Sequence, residues 1–134
     1  MSSPTLMGEL VTLALAYDEP WSVPVPVRYA EGVSYLHAQS AWMDGLEAER
    51  RRVLKALWTP REDGDLSPKH LYGLLHETLE RAGQLEAEVE QATDPLERLN
   101  RLGRLEVTSR FTRHLTHVAA HTRAEAPPRP SATL

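Results

Sequence analysis

The sequence predicts an all-α protein: a bundle of three long helices preceded by a short N-terminal helix and an extended Pro/Val arm. Three observations carry this. Ser3-Pro4, Ser67-Pro68 and Asp94-Pro95 each set a capping side chain directly before a proline, the pairing that suits the first two positions of a helix. Each pair is followed by apolar residues at helical spacing. Only Ala92-Thr93-Asp94 separates the last two predicted helices, and so short a connection makes them an antiparallel hairpin.

The first helix starts near residue 4 and carries Leu6, Leu10, Leu13 and Tyr17 on one face. Over Leu10–Tyr17 large and small residues also alternate, so an α+β fold with a β-hairpin over 10–29 is the alternative. In WSVPVPVRY, Trp21, Val23, Val25 and Val27 alternate with Ser22, Pro24, Pro26 and Arg28. Two prolines exclude a central strand. The segment reads as an edge strand or a polyproline-like arm, in both cases with Trp21 and the valines toward the core.

The second long segment, about 32–58, shows a heptad seam through Leu36, Gln39, Met43, Leu46, Arg50, Val53 and Leu57. Thr59-Pro60 ends it, and Asp63-Gly64-Asp65 forms a polar turn. The third, 68–92, steps through Leu71, Leu75, Thr78, Ala82, Leu85, Val89 and Ala92. The fourth runs over 95–122, with Val107, Phe111, Leu115 and Val118 on its apolar face and Thr108 on its solvent face. Residues 1–123 are expected to form one domain, and the Pro-rich tail AEAPPRPSATL, 124–134, to lack regular structure.

The totals bound the function. The 134 residues are 41% apolar and 25% charged, an ordinary globular balance. With no cysteine, disulfide frameworks, thiolate metal sites and cysteine catalysis are excluded. The N-terminal stretch lacks a basic region and carries Glu9 within its apolar run, and no run is long enough to span a bilayer. The expectation is a cytoplasmic protein without a membrane role. A net charge of −4 argues against a general polyanion binder. Residues 95–123 nevertheless hold a surplus of four positive charges and 68–92 a deficit of three, which reads first as a matched pair of helices.

The stretch RFTRHLTHVAAHTR, 110–123, is the densest in chemistry-bearing side chains. His114, His117 and His121 border the apolar face of their helix and are the candidate metal ligands, His117 and His121 one turn apart. Six residues separate Arg110 from His117, a spacing that resembles the active-site motif of HEPN-type ribonucleases. The resemblance covers two residues and has Phe111 where a polar residue is usual; it implies Arg110 and His117 as catalytic residues on a helical dimer. The third functional reading is a pH-responsive seam. Packing at the core edge with hydrogen bonds is the reading the sequence favours.

Arg50 on a predicted seam must pair with a glutamate or open into a cleft, because an unpaired buried charge is costly. With Arg51, Arg52 and Lys55, and with Arg98 and Arg101 of the last helix, it forms the candidate nucleic-acid surface. Leu102 and Leu105 fall away from the apolar stripe and are the candidate interface, covered by the N-terminal helix or by another subunit. No phosphate loop, acidic metal cluster or nucleophile–base spacing stands in the sequence. The expected function is therefore a non-enzymatic protein-interaction or assembly subunit, a homodimer with no cofactor. A helical nucleic-acid-binding subunit is second. A metal-dependent or HEPN-like ribonuclease on the last helix is third.

Overall fold

The computed structural model describes residues 6–19, 21, 23–26, 33–58 and 68–124, with side chains to His121. It is an all-α bundle of α1 (Leu6–Asp18), α2 (Tyr35–Trp58), α3 (Pro68–Gln91) and α4 (Pro95–Ala124). Leu10–Tyr17 is helical, and 23–26 has no regular secondary structure, so the β-hairpin alternative is not supported. Helical packing buries Leu10, Ala14 and Tyr17 on one side. Trp21, Val23 and Val25 of the arm pack on the core. The expected Ser3-Pro4 and Ser67 caps, Val27, the 63–65 turn and the tail beyond Ala124 lie outside the described residues.

Side chains cap the starts of α2 and α4, the latter at the Asp94-Pro95 pair that the sequence singles out. Ser34 accepts at its Oγ from the His37 N–H at 3.2 Å, and its carbonyl accepts from Ala38 at 2.9 Å. Asp94 does the same for α4, its Oδ2 accepting from Glu97 at 3.2 Å. Arg98 reaches back to donate to the Ala92 carbonyl at 2.6 Å, occupying an acceptor at the end of α3. The α3–α4 hairpin is antiparallel, with Leu85 and Leu99 both buried and Arg101 3.4 Å from Glu88.

The central pair is α2 and α4. They run parallel: Asn100 Nδ2 donates to the Ala41 carbonyl at 3.4 Å, and eight residues further along each helix Glu49 meets Thr108. Between these contacts the backbones touch. A Cβ on Gly103 would stand 2.6 Å from the Trp42 carbonyl oxygen and 3.1 Å from the Leu46 nitrogen, and one on Gly45 would run into the Asn100 carbonyl. This crossing sets which face of α2 is buried. Ala38, Trp42, Gly45, Leu46, Glu49, Arg50 and Val53 point inward, whereas Leu36, Gln39 and Met43 of the expected seam are exposed. The seam expected for α3 holds better, with Leu71, Thr78, Leu85 and Ala92 buried.

On α4 the buried arc is wider than one stripe, because α1, α2 and α3 all pack against it. Thr108, expected in solvent, is therefore 1% exposed. α1 runs antiparallel to α4, as Tyr17 meets His114 while Glu9 lies near His121.

The glycines separate packing from propensity. Gly45→Ala and Gly103→Ala should each destabilise by about 1–3 kcal/mol or more, since the obstructing atoms are backbone. At Gly73 and Gly83 nothing lies within 4 Å of the place an added methyl would take, so the same change there should stabilise by up to about 1 kcal/mol. Urea unfolding of the four variants checks the opposite signs.

Candidate functional site

One turn beyond Gly45, the close α2–α4 approach carries Glu49 into the interior, where it is 1% exposed. A carboxylate there requires partners. Arg81 of α3 supplies a two-point contact, Nε to Oε2 at 3.2 Å and Nη2 to Oε1 at 3.1 Å. Thr108 Oγ1 donates to Oε2 at 2.9 Å. Arg52 and Arg104 stand further out, at 3.8 Å and 3.9 Å. One acid thus joins α2, α3 and α4. Beside it lies a cleft of about 60 Å³ with Val53, Leu74 and Phe111 among its walls. Ligand pockets run to hundreds of Å³, more than this crevice offers, and the contacts of Glu49 make it a structural hub of three helices.

The second constellation surrounds Tyr17 at the end of α1. Its ring is fully buried, edge-on to Phe111 at 5.4 Å and against Trp21 at 4.7 Å. Its hydroxyl lies 2.9 Å from His114 Nδ1. If Nδ1–H donated, the phenol hydrogen would be left without that acceptor in a buried place. With the phenol donating, both groups are satisfied and the imidazole is neutral with its proton on Nε2. Burial holds the His114 pKa below its ordinary 6.5, and Arg110, Arg113 and His117 act in the same direction. Burial also raises the Tyr17 phenol well above its usual value, against the lowering effect of Arg110 and Arg113.

Arg50 completes this corner. Its Nη1 donates to the Tyr17 carbonyl at 2.6 Å, and it pairs with Glu47 through Nε at 2.9 Å and through Nη2. The hydrogen bond from Arg50 holds the Glu47 carboxyl below its ordinary value. The buried guanidinium is paired, as the seam position required.

The expected site residues on α4 take different partners. Arg110 stacks over Trp21, 4.6 Å from the ring centre, and pairs with Glu106 at 3.0 Å. His117 instead stacks on His121, ring centres 5.9 Å apart and planes 8° from parallel. Stacked faces do not aim two nitrogens at one ion, and among the described residues no group of three or more His, Asp or Glu side chains could hold a metal. Of the nucleic-acid candidates, Arg50, Arg98 and Arg101 are engaged within the chain. Arg51, Arg52 and Lys55 are exposed on α2.

Leu102 and Leu105 are half-buried rather than bare. With Pro26 of the arm and Trp42 they border a groove of about 280 Å³, so the chain itself shields part of both. A row of large apolar side chains stands in water on α1 instead: Met7, Val11 and Leu15, 58%, 39% and 60% exposed. No described helix is long and apolar enough to cross a membrane. Comparison with protein-family models, with curated proteins and with solved structures finds no match.

Sequence reasoning passed over Glu49, Gly45, Gly103 and the outer face of α1. Two glycines inside otherwise strong helical patterns were the available signal for a backbone contact. Nothing local marks Glu49 among the many glutamates.

The hub is testable by unequal losses. Glu49→Ala should cost about 3–5 kcal/mol, because it leaves Arg81 and Thr108 without their buried acceptor. Arg52→Met should cost under about 1 kcal/mol, since that partner is more than half exposed, at 55%. Equilibrium urea titrations of both variants measure the contrast.

Proposed function

We propose that this chain is a non-catalytic assembly module that pairs with a second copy of itself through the outer face of α1. The observation that carries the reading is the row Met7, Val11 and Leu15 at i, i+4 and i+8. It is one continuous apolar stripe on a helix whose adjacent side, Leu10, Ala14 and Tyr17, is already buried. The other exposed large apolar residues are spread more widely: Tyr35, Leu36, Met43 and Trp58 on α2, and Tyr72 and Leu79, two turns apart, on α3. An antiparallel α1–α1 contact about a two-fold axis at Val11 would set Met7 against Leu15 of the partner subunit. Burial of the stripe would contribute a few kcal/mol per copy, on the order of 2–5. That supports a dimer sensitive to concentration.

The other readings have less support. A nucleic-acid surface would have Arg51, Arg52 and Lys55 against a net charge of −4. A ribonuclease site on α4 would need Arg110 and His117 to converge, and Arg110 is engaged by Trp21 and Glu106.

Sedimentation equilibrium over a wide concentration range tests the pairing. The wild type should show a monomer–dimer equilibrium. Val11→Glu, at an exposed position, should give a folded monomer with a melting temperature close to that of the wild type. A wild type that stays monomeric at hundreds of micromolar, or a Val11→Glu variant that still dimerises, would refute it.

A further inference from the structure

Nothing in the proposed pairing uses the contact beneath α1, where a titratable group meets a fully buried one. We propose that the Tyr17–His114 contact is a pH-sensitive latch: protonation of His114 releases the last turn of α1, and the arm that follows it, from α4.

The geometry gives the mechanism. Tyr17 is 0% exposed, and its hydroxyl has His114 Nδ1 at 2.9 Å. The neutral imidazole accepts there. An imidazolium carries N–H groups at both nitrogens and can only donate. The phenol oxygen must then accept, and its own hydrogen loses its acceptor in a buried place, a desolvation penalty that undocking removes. The aromatic contact between the two rings, edge-on with centroids 5.6 Å apart, is lost in the same movement. Because Tyr17 also stacks with Trp21, and Arg110 lies over Trp21, the arm is tied to the same residue.

The charges around His114 set the sign. On α4 it faces Arg110, Arg113 and His117, all unfavourable to a further positive charge. From α1 it meets Tyr17, and from the arm the neighbouring ring is the neutral Trp21. On α2, Arg50 binds the Tyr17 carbonyl and Glu47, and adds positive charge on the far side of Tyr17. The acids nearby face other cations: Glu106 pairs with Arg110, Asp18 acts on Arg50, and Glu19 is exposed. The folded state therefore binds this proton less readily than the unfolded chain does. The contribution of the latch is complete above about pH 6.5 and declines as pH falls below it.

All of these contacts lie within one chain, so the latch stands whether or not α1 pairs with another copy. If it does, acid would weaken that pairing as well. Amide exchange, corrected for intrinsic rates and recorded by NMR at about pH 7.5 and about pH 5.5, tests it on the full chain. In the wild type, protection of residues 13–18 should fall several-fold at the lower pH relative to α3. In His114→Gln that loss should disappear, and in His121→Gln it should persist. Unchanged wild-type protection, or an equal loss in His114→Gln, would overturn the proposal. Ring titration of His114 in the wild type needs no variant: a midpoint below 6.5 is expected, and a midpoint at or above it contradicts the latch.

Discussion

Backbone contact between α2 and α4 at Gly45 and Gly103 is the constraint on which the rest of the structure depends. With the methyl of an alanine excluded on both sides, the helices approach closely enough that Glu49, one turn beyond Gly45 on α2, is almost wholly withdrawn from solvent. A carboxylate in that place demands cations and hydroxyls, and the fold supplies Arg81 from α3 and Thr108 from α4. The ion pair is therefore a consequence of the crossing as much as a cause of stability. Once the crossing exists, removing any near partner of Glu49 is costly, which ties the placement of α3 to a contact made by two other helices.

α1 obeys a different constraint. It is apolar on two sides, one occupied by the α2–α4 pair and one open to water. Its attachment concentrates on Tyr17, which offers its ring to Phe111 and Trp21, its hydroxyl to His114 and its carbonyl to Arg50. Leu10 and Ala14 hold the rest of the helix by apolar burial alone, so its C-terminal turn is where polar contacts can release it. That makes α1 the element whose position responds to conditions while the three long helices keep theirs.

The helix order and most boundaries were legible because capping residues, prolines and a three-residue connection are local signals. The α3 seam was legible too, since its layers are mainly leucines and small residues at regular steps. The buried face of α2 was legible only in part. The heptad count finds Leu46, Arg50 and Val53, which are buried, but it also favours Leu36, Gln39 and Met43, which are exposed, and it passes over Gly45 and Glu49, which the true face contains. They are inside because two backbones touch, a property of a pair of helices that neither segment shows alone. The same holds for Thr108, Leu102 and Leu105 on α4, whose burial follows from three neighbours rather than one. For His114, packing at a core edge was readable from its angle on the helix, whereas His117, read the same way, is exposed. The partner of His114, a tyrosine 97 residues away, was not readable.

Native-state hydrogen exchange as a function of denaturant tests the central role of the α2–α4 crossing most directly, because it orders the helices by the free energy at which each opens. If the crossing is the foundation, amides flanking Gly45 in α2 and Gly103 in α4 will exchange only through global unfolding, with one shared denaturant dependence, and α1 will open at lower free energy. If the α3–α4 hairpin instead stays protected while α2 around Gly45 exchanges freely, the bundle is built on the hairpin and the crossing is secondary to it.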